Sequence, residues 1–305
     1  MKALRRLTIL NIKDVSHLCL LLGVSKDNLL SICSGIEKHP NGYYRRHVMV
    51  RNGKQRSIAT PYGSFRRIID RLNSFLQRLK FPDNMHGGLK GRTTYSYAKP
   101  HKGKKAILKS DIKDFFPNVR PTQVYREFIR LGCAPDVARV ITKLTMLDGC
   151  LPQGSPTSTV IGNIVTMNLA KRLKGLADSI KASSGTYVDD VVLSGPTYIA
   201  KKEKLVLKII EQEGFSPNIT KTNTQFDNQE QVIAGIRVNN GFDAPSIKIA
   251  SIRAEIEALE NSVKSNLNNY HAAIKSIRGK IRYIERLNKG AAKHLSKLLN
   301  RSIPQ

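Results

Sequence analysis

Two short apolar runs in this chain are each interrupted by acid, and that conflict limits what the chain can fold into. Ala106 to Ile112 reads as a buried strand broken by Lys109 and ending in Asp111, within Lys-Ser-Asp-Ile-Lys-Asp-Phe-Phe. Asp189 and Asp190 follow 78 residues later, set between Tyr187-Val188 and Val191-Val192-Leu193. An Asp-Asp pair alone marks an ordinary hairpin turn. Here both flanks are core-strand sequence, where an unpaired carboxylate is costly to bury and adjacent carboxylates repel each other. Something cationic should hold them. Carboxylate oxygens suit Mg²⁺, and two such ions about 3.5–4 Å apart can activate an attacking hydroxyl and stabilise a leaving pyrophosphate.

The rest of the chain points to a polyanionic partner. Its formal charge of +28 repels itself unless a polyanion neutralises it, which makes nucleic acid the default partner. The charge is uneven: 23 Lys+Arg against 5 Asp+Glu in residues 1–110, 17 against 14 in 111–250, and 11 against 4 in 251–305. Basic flanks thus bracket a nearly balanced middle. A ribosomal or chromatin-like binder can be equally basic, so charge alone does not reach catalysis. Cys19, Cys33, Cys133 and Cys150 contain no C-x-x-C pair, which leaves buried thiols and excludes a zinc or redox motif. No apolar run reaches the roughly 18 residues of a membrane span, so a cytoplasmic protein without membrane contact is expected.

Along the chain, residues 1–40 read as short helices, with a break at Gly23 and Ser25 as a cap. Residues 43–60 alternate around Asn52-Gly53, a type I′ hairpin signal. From Ser64 to Lys80, Phe65, Ile68, Ile69, Leu72, Phe75, Leu76 and Leu79 share one helical face. Helices are expected from near Thr122, after Pro121, and from Ser158, where Val160, Ile161, Ile164, Val165, Leu169 and Leu173 form the buried side. The tail holds three helical stretches, marked by Ile252, Ile256, Leu259 and Val263; by Ile274, Ile277, Ile281 and Ile284; and by Leu295, Leu298 and Leu299.

Several boxes now line up. Tyr187-Val188-Asp189-Asp190 resembles the Tyr-x-Asp-Asp box of reverse transcriptases, and Asp111-Ile-Lys-Asp-Phe-Phe resembles their first catalytic motif. Leu151-Pro-Gln-Gly-Ser-Pro-Thr-Ser resembles the turn that opens their template-contacting helix. Gly214-Phe215 with Asn218 and Lys221-Thr222, then Val232 to Ile236, complete five boxes in order over residues 86–239. Within that family the chain is most similar to the retron type, through His86-Gly87-Gly88, Gly91-Arg92, the segment Tyr97 to His101, and Phe116-Pro117. It departs from the retron pattern at two places. Those enzymes usually carry Asn-Ala-x-x-His where Tyr97 stands, and Val-Thr-Gly where this chain has Ile233-Ala234-Gly235.

The resemblance implies an α+β right-hand polymerase fold with fingers, a palm of antiparallel sheet plus helices, and a helical thumb. The corresponding boundaries are an N-terminal helical extension over 1–40, fingers over 41–105 with inserted helices at 122–150, a palm over 106–245 and a thumb over 246–305. It implies catalytic and metal-binding roles for Asp111, Asp189 and Asp190, two Mg²⁺ ions, and the backbone carbonyl of Ile112 as a further ligand. Asp114 is a weaker candidate that also reads as a turn acid.

Nucleotide contacts fall by the same resemblance to Arg56 on the triphosphate, Phe116 beneath the sugar, Gln153 and Gly154 against the new base pair, and Lys221 near the leaving pyrophosphate. Phe116 at that place implies deoxynucleoside triphosphates, because a ring there excludes the 2′-hydroxyl; a plain core ring fits its neighbour Phe115 better, because alternation on a strand turns only one of the two inward. Arg92, His101, Lys275, Arg278, Arg282 and Arg286 are the expected nucleic-acid contacts. For His101 a structural role is equally open, and the tail cations also fit a solvated helical face. The implied partners are a cognate non-coding RNA, its RNA–DNA hybrid and a separate effector protein in antiphage defence. Three rivals stay open: another defence-associated reverse transcriptase, a group II intron relative, and a silent RNA-binding scaffold. The chain ends at Gln305 without a maturase or endonuclease extension, which disfavours the intron reading, and the intact acidic residues disfavour the scaffold.

Overall fold

The computed structural model describes residues 12–51, 53–262 and 267–303. Asn52 and Val263, named above, lie outside the described residues, as do residues 1–11 of the N-terminal segment.

The chain begins with two short capped helices. Asp14 accepts the His17 N–H at 2.8 Å to start α1 (Val15–Leu22), and Gly23, at φ 66, ends it in the left-handed region. Ser25 caps α2 (Lys26–Lys38) by accepting the Asn28 N–H at 3.3 Å, as its sequence position suggests. β1 (Tyr44–Arg51) and β2 (Lys54–Pro61) pair antiparallel from Tyr44↔Pro61 to Arg51↔Lys54, which leaves the two-residue connection expected of the hairpin.

α3 (Gly63–Leu76) buries the predicted face of Phe65, Ile68, Ile69, Leu72, Phe75 and Leu76. It stops short of Lys80. The Gln77 side chain, at the end of the helix, donates to the Gly88 carbonyl and accepts from the Lys90 N–H.

β3 (Met85–His86) and α4 (Thr94–Ala98) precede β4 (Ala106–Asp111). After it come α5 (Phe115–Asn118), α6 (Pro121–Arg130) and α7 (Pro135–Thr145), with Pro at the first position of α6 and α7, where its missing N–H costs nothing. The long helix expected from Ser158 is interrupted, giving α8 (Ser158–Val165) and α9 (Met167–Ser179). At the break the Thr166 hydroxyl donates to the Gly162 carbonyl at 2.9 Å, a back-bond that bends helices.

β5 (Ser183–Tyr187) and β6 (Asp190–Gly195) flank the acidic turn, and α10 (Glu203–Gln212) and β7 (Asn223–Phe226) follow. The five-stranded sheet has the order β3-β5-β6-β4-β7. Its short edge strand β3 runs parallel to β5, which an all-antiparallel palm does not include. β8 (Val232–Ile233) and β9 (Ile236–Arg237) form a separate hairpin. Its two central residues, Ala234 and Gly235, both have positive φ, as a type I′ turn requires.

The chain divides into two compact units. The first gathers the described residues of Met1–Thr93, Leu108–Leu193 and Lys201–Asn223; the second gathers those of Thr94–Ile107, Ser194–Ala200 and Thr224–Gln305. In the second, α11 (Ser246–Ser262), α12 (Leu267–Glu285) and α13 (Lys289–Ser302) share a core of Ile252, Ile256, Leu259, Ile274, Ile277, Ile281, Ile284, Leu295 and Leu299. Each buried Ile or Leu contributes about 1.5–3 kcal/mol relative to exposure. The three-helix tail is therefore the one its apolar spacing predicts.

Among the described residues no single helix is long and apolar enough to cross a membrane. The bent pair α1–α2 together has the length and apolar content of a broken span, but its side chains Leu18, Leu22, Leu29, Ile32 and Ile36 are buried within the protein. Cys19, Cys33 and Cys133 are buried free thiols and Cys150 is half-buried.

Candidate active site

The acidic site lies wholly in the first unit, at the point where β4 ends beside the β5–β6 turn. The Ile112 N–H donates to the Asp189 carbonyl at 2.9 Å, so the backbones of the two acidic motifs are stitched directly together. A third segment closes against them. Asn218 N–H donates to the Asp111 carbonyl at 2.7 Å, Lys113 N–H donates to Ser216 O at 2.8 Å, and Ile112 bridges Pro217. The side chains repeat this convergence. Asp111 is buried, and its Oδ2 accepts from Lys221 Nζ at 2.7 Å and from Asn218 Nδ2 at 3.1 Å. Ser110 and Thr222 add a hydroxyl contact at 2.9 Å.

Charge accumulates at this point. Although Asp190 is exposed as a residue, the protein around it, together with Asp189 and Asp111, pushes its carboxyl up to about 6. Burial first, and then Asp111, also raises Asp189, against its own backbone amide, Lys221 and Arg56. The hydrogen bond to Asp111 raises the Lys221 ammonium, and the other two carboxylates add to it. Lys109, lowered by burial, is held partly in check by Asp190.

The turn is also strained. Val188 has φ 60, a left-handed conformation rarely adopted by β-branched residues, and such positions cost about 1–3 kcal/mol and cluster at functional sites.

These donors suit a hard divalent cation, because they are carboxylate oxygens with raised, mutually repelling charge. As the side chains stand, no group of three His, Cys, Asp or Glu among the described residues is arranged to hold a metal. Two physical reasons account for this departure from the expected three-ligand cluster. Lys221 has taken one oxygen of Asp111. Asp189 and Asp190 are neighbours at a strand start, where successive side chains diverge. Ile112 is tied in by its amide, as described above. Asp114, exposed and at φ 45, starts α5 as a turn residue.

The nucleotide candidates divide. Arg56 is exposed on β2 opposite Met49, and its charge reaches Asp189. Phe115 is buried and Phe116 half-buried, with ring centroids 5.3 Å apart. They lie on the short helix α5, so the strand alternation assumed for them does not apply. Gln153 O accepts the Ala59 N–H at 2.7 Å, which docks this turn on the β1–β2 hairpin. Gly154, at φ 113, makes its close approach there: a Cβ would lie 2.8 Å from Ile58 Cγ2 and 3.1 Å from Ala59 O. The glycine thus lets this turn pack closely on β2 of the same chain.

Two of the expected nucleic-acid contacts make interior hydrogen bonds. Arg92 donates to the carbonyls of Pro82, Met85 and Phe81, tying the turn before β3 to the start of that strand. His101 is fully buried, with Nδ1 2.7 Å from Ser194 Oγ and an edge-to-face contact with Tyr97. In the second unit, Lys275, Arg278 and Arg282 are exposed along α12, and Arg286 is exposed in the turn just after it. Arg278 and Arg282 line a 550 Å³ cleft between α12 and α13 with Lys289 and Lys293. Lys280, on the same helix, is spent on Glu255 at 2.7 Å.

Sequence reasoning gave no role to Asn218, which holds Asp111 twice, or to Asn163. Asn163 is completely buried on α8 among Val160, Ile161 and Ile164, and a polar residue on an apolar helical face was the available signal.

Comparison with known proteins gives the family. Residues 36–238 match the family described as reverse transcriptase (RNA-dependent DNA polymerase). The chain is 28% identical over 298 residues to the retron Mx65 reverse transcriptase of Myxococcus xanthus, covering 88% of this chain and 69% of that protein. It is 26% identical over 268 residues to the retron Ec86 reverse transcriptase of Escherichia coli, covering 82% and 83% respectively.

In fold, it is similar to a Candida albicans telomerase solved with a fragment of telomeric RNA. The TM-score is 0.52 at 10% identity, over 85% of this chain and 59% of that one. The expected α+β right-hand fold is thereby met. The chain belongs to the reverse transcriptase family, the RNA-dependent DNA polymerases.

Proposed function

We propose that the protein is a retron-type enzyme that copies a cognate structured non-coding RNA into a branched RNA–DNA product, in the cytoplasm and in antiphage defence with a separate effector protein. The observation that carries the catalytic part is the convergence of Asp111, Asp189 and Lys221, fixed by the Ile112-to-Asp189 backbone bond. The retron part is supported by the relatives and by the His86-Gly87-Gly88 and Gly91-Arg92 segments.

In the proposed reaction a hydroxyl oxygen attacks the α-phosphorus of a deoxynucleoside triphosphate, a phosphodiester bond forms, and the bond to pyrophosphate breaks. Asp111, Asp189 and Asp190, with the Ile112 carbonyl, would hold two Mg²⁺ ions, which supply hydroxyl activation and charge stabilisation on the leaving group. Arg56 presents a planar five-donor guanidinium to the triphosphate. Phe116, half-buried at the end of the first motif, sits under the sugar and rejects a 2′-hydroxyl. Gln153 steadies the turn beside the new base pair. Lys221, kept protonated by Asp111, delivers a proton toward the departing pyrophosphate.

In this reading residues 41–105 act as fingers, 106–245 as palm and 246–305 as thumb. The exposed cations Lys275, Arg278, Arg282 and Arg286 grip the duplex through its phosphates.

The test is to express the chain with its flanking genomic DNA and treat the co-purified nucleic acid with RNase, DNase and a debranching enzyme. A short DNA that shifts on debranching and is absent from Asp189→Ala supports the retron reading. Primed synthesis without a branched product points to another defence-associated or intron-like enzyme. Bound RNA with no synthesis points to a silent scaffold.

A further inference from the structure

We propose that Asn163 is a positioning residue for the acidic turn, acting through Gly87 on the backbone of Val188; this rests on Asp189 and Asp190 being catalytic. The need arises from strain. Val188 holds φ 60, where a β-branched side chain crowds its own backbone, so the turn requires support from outside.

That support is Gly87. The parallel pairing of Met85–His86 with Thr186–Tyr187 brings it alongside the turn. A Cβ on Gly87 would lie 2.7 Å from Val188 Cγ2 and 3.0 Å from Val188 N, so only glycine can pass, and its φ of 77 suits glycine as well.

Gly87 is held in turn by Asn163. The Asn163 Nδ2 donates to Gly87 O at 2.9 Å and to Thr159 O at 3.0 Å. Its Oδ1 is buried with no hydrogen-bond partner among the described residues, a costly state for an amide whose one evident task is to donate. Gly88 is pinned too: Gln77 Nε2 donates to its carbonyl at 2.7 Å, and a Cβ there would meet Thr159 Cγ2 at 2.3 Å. Helix α8 therefore fixes the turn through Asn163, Gly87 and Val188 without any of the three supplying a reacting group. This gives the His86-Gly87-Gly88 segment a physical purpose.

The test combines Asn163→Leu, which keeps comparable volume and removes the donor, with Val188→Gly, which lets the turn take positive φ without strain. Two readouts are followed: kcat against nucleotide KM in primer extension, and amide hydrogen exchange of the segment 187–190. Asn163→Leu should lower kcat roughly 10- to 100-fold with KM little changed, and should speed exchange at the turn. In the Val188→Gly background both effects should shrink, a non-additivity that a merely structural asparagine does not produce.

Equal effects in both backgrounds, or unchanged exchange at the turn, overturn the proposal. If wild type and Asp189→Asn extend primers equally, the catalytic reading fails, while the exchange measurement still decides whether Asn163 holds the turn. Asn163→Ala replaces Asn163→Leu if the latter does not fold.

Discussion

Lys221 Nζ lies 2.7 Å from Asp111 Oδ2, joining a side chain that is 49% exposed to one that is 10% exposed. The pair is asymmetric. The buried carboxylate depends on its cation, and the cation keeps a route to solvent and to any phosphate that enters. Asn218 holds the same oxygen at 3.1 Å, so Asp111 stays in place when Lys221 turns away.

Replacing Lys221 by Met is therefore expected to slow single-turnover primer extension by about 10²-fold or more, the range of a lost general acid. Lys221→Arg should recover the structural pairing but little of the rate, because a guanidinium does not release its proton. Rates equal to wild type in Lys221→Met remove the residue from the reaction.

Gly154→Ala is expected to destabilise the chain by about 1–3 kcal/mol, through a positive φ and a clash with Ile58 and Ala59. The check is the urea midpoint. The variant should also disturb extension, because the same turn carries Gln153 against β2. A midpoint equal to wild type contradicts the close approach described for this glycine.

Much of this was legible in sequence, for identifiable reasons. The α3 face, the three tail helices and the hairpin flanks were readable because periodic apolar spacing reports burial directly. Asp111, Asp189 and Asp190 were readable because acid inside apolar strands is physically anomalous. The interior bonds of Arg92 and His101 were not: a half-buried Arg spending itself on Phe81, Pro82 and Met85 has the same letter as one on the surface. Asn218 and Asn163 act across sequence separations of 107 and 76 residues: the local pattern marks Asn218 as part of a box and Asn163 as polar on an apolar face, but not what either one holds. The break at Thr166 was hidden because threonine is ordinary inside a helix until its hydroxyl back-bonds.

Cys33 and Cys133 give a pH prediction. Burial pushes both thiols up to about 11 from an ordinary 9.0. The folded state keeps protons that the unfolded state releases, so their contribution is intact below pH 9 and is lost as pH rises toward about 11. Urea midpoints measured at pH 8 and pH 10.5 should fall less in Cys33→Ala/Cys133→Ala than in wild type. An identical fall in both removes the thiols as the cause.

The exposed cations of α12 predict a salt signature. Arg278→Ala with Arg282→Ala should weaken binding to an RNA–DNA duplex and flatten the slope of log affinity against log salt by about 1–2. An unchanged slope means that the cleft between α12 and α13 does not meet phosphate.

In the proposed function the carboxylates joined at the Ile112–Asp189 contact form the polymerising centre. The direct measurement is Mg²⁺-dependent extension of a DNA primer on an RNA template by wild type and by the near-isosteric Asp189→Asn, with matched melting temperatures. That function requires extension with deoxynucleotides by wild type and a loss of at least about 10³-fold in the variant, as for a removed electrostatic catalyst. Wild-type rates in a folded Asp189→Asn would contradict it.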